Sequence, residues 1–276
     1  MRHEDWNIGH ALSSGLCLAR AIVSGSTRLY ATCPPAEALP QDTVFAGLLL
    51  MPFIMLPDNI TGALWMGITS GLLTWALTRK HEYWRLLIFM TPAWGMTLWN
   101  IQAGALLCFI ALVPDLLPFA LYKPPQGLVI GLWRFSWKRA ITTGVVLIIS
   151  IILWPTWLPD WLNQATAYQS IIPLLVLPVG PLLLVALRSW RDDRTRLLLL
   201  MSCIPQRGMY NAFLLYLIPQ TIREMTFAVV ASWIGVVIWI MMKSEALGIV
   251  IGCYLPMLLI CQTGVRRQVQ ECVKFR

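Results

Sequence analysis

The sequence predicts an all-α, polytopic membrane protein, and three observations carry that prediction. Hydrophobic residues make up 58% of the 276 and charged residues 12%, about half the charged share of a soluble domain. Mean hydropathy is +0.67. Fourteen of the 21 Lys and Arg fall in four short clusters, each beside an apolar run, as the positive-inside bias predicts for cytoplasmic loops. No soluble core of this size could hide so much apolar surface, so a soluble enzyme, a disordered chain and a coiled coil are excluded.

The clusters are Arg79, Lys80 and Arg85; Arg134, Lys138 and Arg139; Arg188, Arg191, Arg194 and Arg196; and Arg266, Arg267, Lys274 and Arg276. Their placement accounts for the net charge of +8 without a nucleic-acid partner, because no aromatic-rich basic groove accompanies it.

Each element follows in chain order. Residues 1–42 hold no clear span: Ala11–Gly25 is amphipathic and Cys33-Pro34-Pro35 breaks it, which suits a helix lying at the interface. Glu4 and Asp5 near the start, and Ser and Arg20 within Ala11–Val23, do not make a cleavable signal peptide. Thr43–Pro57 is apolar but 15 residues long, short of the roughly 20 needed to cross, and reads as tilted, re-entrant or a half-helix. Ile60–Thr78 is a full span ending on Arg79-Lys80. Leu86–Leu121 suits two passes with a polar turn near Asn100, and Gly127–Trp133 is a short apolar piece. Ala140–Trp154 is a span, and Trp154–Trp161, rich in Trp and Pro, is an interfacial belt.

Ile171–Leu187 leads back to the basic loop 188–196. Leu197–Ile218 is broken by Pro205-Gln206-Arg207-Gly208 and has to supply two short legs around Arg207 if that loop and the C-terminus share one side. Phe227–Met242 and Ala246–Cys261 complete a count of roughly seven to ten passes, half-helices included. The expected organisation is an interfacial segment at 1–42, a transmembrane domain at 43–265 and a basic cytoplasmic tail at 266–276.

Little in the chain suggests a metal or cofactor, and none is expected. The seven cysteines show no CxxC pair; Cys17 and Cys33 either pair, if their segment is extracytoplasmic, or are small buried hydrophobes. His3, His10 and His81 are all expected in loops, so no span offers an axial ligand. No filter string or inverted repeat points to a channel or secondary transporter.

Ionisable residues inside spans are functional candidates by default, and here they are Lys123, Asp115, Arg207, Arg223, Glu224 and Asp160. Lys123-Pro124-Pro125-Gln126-Gly127 either presents a lysine to a lipid phosphate at headgroup depth, or lets it snorkel while the prolines end a helix. Asn100 and Gln102, with Gln126, either satisfy broken backbone or face a cavity. Arg207 with Tyr210 and Asn211 either clamps an anion or faces water.

The order of these pieces resembles the integral-membrane C-type glycosyltransferases, specifically the bacterial branch of polyprenol-phosphate-mannose-dependent mannosyltransferases. Ala19-Arg20-Ala21-Ile22-Val23-Ser24-Gly25, followed by Leu29-Tyr30, is similar to that branch's first external loop. Ala46–Phe53 with Leu56-Pro57 resembles its second membrane segment, and Ala63-Leu64-Trp65 its third. Asn100-Ile101-Gln102 and Lys123-Pro124-Pro125-Gln126 fall where the family has its Gln-containing turn and its Lys-Pro turn, and Trp154-Pro155 and the loop 188–196 continue the likeness.

The resemblance implies sugar transfer from a polyprenyl-phosphate donor at the outer face of a bacterial cytoplasmic membrane. Membrane lipids and the donor would be its partners. A carboxylate would take the acceptor's proton, and Lys123, Arg207 and Tyr210 would steady the departing lipid phosphate. Two departures matter. The family's first helix, which precedes the external loop, is expected upstream of Met1, so the chain reads as N-terminally truncated. Counting back to the family's catalytic Asp lands on Ala11, and Asp5 is the nearest candidate base. The rival expectation is therefore a catalytically inactive relative that serves as a structural or assembly subunit of a larger membrane complex.

Overall fold

The computed structural model describes residues 10–26, 28–33, 43–166 and 170–274. Among them every regular element is a helix, apart from one isolated antiparallel bridge between Ile171 and Gln206. Three helices, Asp58–Thr78, Ile222–Met242 and Glu245–Gly264, are long and apolar enough to cross a membrane. A fourth candidate is Trp137–Leu153 with Trp157–Asn163, bent by 98°. The other apolar tracts form shorter legs, such as Leu12–Val23, Val44–Phe53 and Gly180–Ser189.

The chain divides into two compact units. The first comprises Met1–Ala76 and Thr97–Gln169. Its helices are α1 (His10–Val23), α2 (Leu29–Thr32), α3 (Val44–Leu50), α4 (Asp58–Thr78), α5 (Pro92–Trp99), α6 (Gly104–Leu112), α7 (Pro124–Trp133), α8 (Trp137–Leu153) and α9 (Trp157–Thr166), with the division falling near the end of α4 and inside α5.

In α1, Leu12, Leu16 and Ala19 are buried; their spacing puts them on one helical face, and that helix packs on α3. Cys17 and Cys33 form a disulfide with Cα atoms 5.9 Å apart, so the first of the two sequence alternatives holds. Around it Leu18, Tyr30, Val44, Phe45 and Trp157 make a core, in which the Phe45 and Trp157 rings meet edge to face at 6.0 Å. The Trp154-Pro155 step interrupts the helix because proline has no N–H to continue the ladder. It turns α9 back so that Trp157 joins this core.

The second unit comprises Leu77–Met96 and Ser170–Arg276. It holds α10 (Asp193–Cys203), α11 (Ile222–Met242), α12 (Glu245–Ile249) and α13 (Leu255–Lys274), with a π turn at Val250–Tyr254 joining the last two. Asp192 caps α10 by accepting from the backbone N–H of Arg194 and Thr195 at 3.1 and 3.0 Å. Thr221 and Glu224 make a reciprocal cap on α11: Thr221 Oγ1 accepts from Glu224 N at 3.2 Å, and Glu224 Oε2 accepts from Gln220 N at 2.8 Å. Leu197–Ile218 forms two short legs, α10 and a 3₁₀ helix at Met209–Leu217, separated by Ile204–Gly208.

Candidate functional site: a buried lysine beside an amide turn

Lys123 occupies the N-cap of α7, and Pro124 and Pro125 fill the first two helical positions. Proline suits them because it carries no N–H there to be left unpaired and its φ is already helical. The Lys123 carbonyl accepts from Gly127 N at 2.9 Å, closing the first turn. The residue is only 3% exposed, and its ammonium donates to Gln102 Oε1. Gln102 and Gln126 are likewise buried, at 3% and 4%.

Gln102 is delivered by a distorted turn. Ile101, directly before it, has φ of 48°, a left-handed conformation that a β-branched residue adopts only when its surroundings impose it. Such a residue costs about 1–3 kcal/mol. The turn is tied by Ile101 N to Leu98 O at 3.2 Å and Gln102 N to Thr97 O at 2.9 Å, while the Ile101 side chain is buried. Asn100 sits half-buried in the same turn. On the other side of Lys123, the Tyr122 ring stacks on Trp65 with centroids 5.8 Å apart. Thr43 Oγ1 donates to Leu121 O at 2.6 Å.

The remaining sequence candidates are distributed as follows. Arg207 and Tyr210 belong to the second unit and are half-buried, Arg207 on the turn that separates its two short legs and Tyr210 in the 3₁₀ helix that follows, with Asn211 buried next to Tyr210 in sequence. That turn is tied by Glu245 Oε1, which accepts from Met209 N at 3.2 Å. Asp115 is 79% exposed and pairs with Arg139 Nε at 3.0 Å. Asp160 is half-buried on α9 and Arg223 is exposed. Asp5 lies outside the described residues.

Two arrangements were not legible in the sequence. Arg20 pairs with Asp58 at 3.2 Å, both largely exposed, at the start of α4. Arg194, counted above as a loop charge, is 8% exposed between Asp192 at 3.6 Å and Glu224 at 3.9 Å. The Asp192 capping position was the available signal, because an N-cap carboxylate beside an arginine fixes both.

No family model, no curated protein and no solved structure matches this chain. Identification therefore rests at the level of architecture: the chain is helical, with three to four candidate membrane spans among its described residues, the organisation of a multi-pass membrane protein.

Proposed function

We propose that this chain is a glycosyltransferase-like membrane protein that takes a polyprenyl-phosphate sugar from the bilayer, with Lys123 as the cation for its phosphate. The observation that carries the reading is the burial of Lys123, at 3% exposure and bonded to the Gln102 amide, on the N-terminal end of α7. Keeping an ammonium buried is costly unless polar partners compensate it, and a side chain held there at that cost is a candidate for binding. A phosphate supplies the complementary charge, and the positive end of a helix favours the same ligand. Gln102 orients the ammonium, and the left-handed Ile101 holds Gln102 in place.

The likeness of the Lys-Pro string and the Gln-containing turn to those of polyprenol-phosphate-dependent enzymes supports the choice of lipid. On this reading the donor is taken from the outer leaflet of a bacterial cytoplasmic membrane and Asp5 is the base. The motif count favours a second reading, because it puts Ala11 where a carboxylate is needed: a relative that keeps the lipid site and serves as a subunit of a membrane assembly.

Incubating the purified chain with labelled polyprenyl-phosphate sugar and a broad acceptor pool separates the two. Turnover that disappears in Asp5→Asn and falls in Lys123→Ala supports the enzyme. Donor binding without turnover, together with stoichiometric co-purification of other membrane proteins, supports the subunit. Failure to bind the donor contradicts both.

A further inference from the structure

The first unit carries a groove of about 430 Å³ between α7, α8 and the 3₁₀ segment Pro114–Tyr122, within the size range of small-ligand sites. Its walls are apolar, with Leu117, Leu128, Leu132 and Phe135 among them, and Ser136 and Thr143 are its only hydroxyl-bearing residues. Lys123 does not line it, so nothing here depends on the function proposed above.

The groove ends at the basic cluster between α7 and α8. Arg134 has its guanidinium carbon 3.8 Å over the Trp133 ring, Lys138 is exposed, and Arg139 pairs with Asp115 at 3.0 Å. That end thus carries three cations and one carboxylate, a local charge of +2. The ten residues of α7 rise about 15 Å, half of the roughly 30 Å hydrocarbon core, so the groove is one leaflet deep.

We propose that this groove is a binding site for an anionic phospholipid of the leaflet on the basic side, one acyl chain along α7 and the phosphate at Arg134 and Lys138. The apolar walls match the chain, and the depth matches a single leaflet. The charge at the mouth selects a headgroup of net negative charge over a zwitterionic one, because clustered basic residues at a membrane surface attract anionic lipid.

Gly131 offers a way to close the groove without disturbing the helix. A Cβ there would lie 3.6 Å from the Leu117 side chain, an ordinary contact, so Gly131→Leu puts its branch into the groove. The test uses the full chain in detergent, titrated with phosphatidylglycerol or phosphatidylcholine of the same acyl chains and followed by native mass spectrometry and thermal unfolding. The expected result is retention of phosphatidylglycerol by about 10-fold over phosphatidylcholine. That preference should be lost in Arg134→Gln/Lys138→Gln, and both lipids should be lost in Gly131→Leu. Equal retention of the two lipids by the unaltered chain would overturn the proposal. So would a preference that survives in the charge variant, whose positions lie outside the packed core and keep the test valid if Gly131→Leu does not fold. A thermal shift produced equally by soluble glycerol phosphate would also overturn it, since the acyl chain would then contribute nothing.

Discussion

Gly235 on α11 and Gly252 in the π turn after α12 pack so closely that a Cβ added to Gly235 would lie 2.6 Å from the Gly252 Cα. The reverse substitution would bring its Cβ to 2.5 Å from the Gly235 Cα. Neither distance is tolerated, and the obstacle in each case is backbone, so the two helices would have to separate. Gly235→Ala is expected to cost about 1–3 kcal/mol, the usual penalty of overpacking. Gly144→Ala on α8, where a Cβ meets nothing within 4 Å, should leave stability unchanged or slightly raised by helix propensity. Thermal unfolding of the two variants side by side checks this, and equal behaviour would contradict the close crossing.

The disulfide makes a prediction about compartment. A Cys17–Cys33 bond persists in an oxidising environment, so the end of α1 is expected on an extracytoplasmic face. Its loop spans a sequence separation of 16, so the bond is expected to contribute about 3 kcal/mol. Thiol-reactive mass tagging before and after reduction should reveal two additional thiols only after reduction. A cysteine placed at Ser136 should label from the side opposite to one at Asn163, because α8 separates them. Labelling of both from one side, or free Cys17 and Cys33 without reductant, would contradict the arrangement.

Much of the fold was legible because apolar length is a local property. Ile60–Thr78, Phe227–Met242 and Ala246–Cys261 each lie within a helix long enough to cross, and the Pro205–Gly208 break separates two short legs as the charge pattern required. The Trp154-Pro155 step, read as an interfacial belt, is the bend between α8 and α9. What remained hidden depends on partners distant in sequence. Lys123 and Gln102 are 21 residues apart, and neither string alone says that an amide turn will meet an ammonium. The pairing of Cys17 with Cys33 depends on how α1 packs, which spacing leaves open. Arg194 looked like one charge among four because its burial comes from α13: a Cβ on Gly264 would fall on the guanidinium itself.

Arg194 therefore behaves as a buried charge rather than as part of a basic loop. With Asp192 and Glu224 beside it, Arg194→Ala leaves carboxylates without their cation and is expected to cost about 3–5 kcal/mol. By contrast, the Arg20–Asp58 pair is 55% and 57% exposed, and Asp58→Asn should change stability by less than about 1 kcal/mol. Denaturation of both variants in the same detergent checks the contrast, and a small effect at Arg194 would count against its burial.

The central proposal is that Lys123 receives a lipid phosphate. Its most direct test is the affinity of the chain in nanodiscs for polyprenyl phosphate, measured against the uncharged polyprenol, for the unaltered protein and for Lys123→Ala. A charge-assisted hydrogen bond is worth about 1.5–3 kcal/mol, so the substitution should weaken polyprenyl phosphate binding by about 10- to 150-fold and leave polyprenol binding unchanged. Equal affinity of the two proteins for polyprenyl phosphate would contradict the claim.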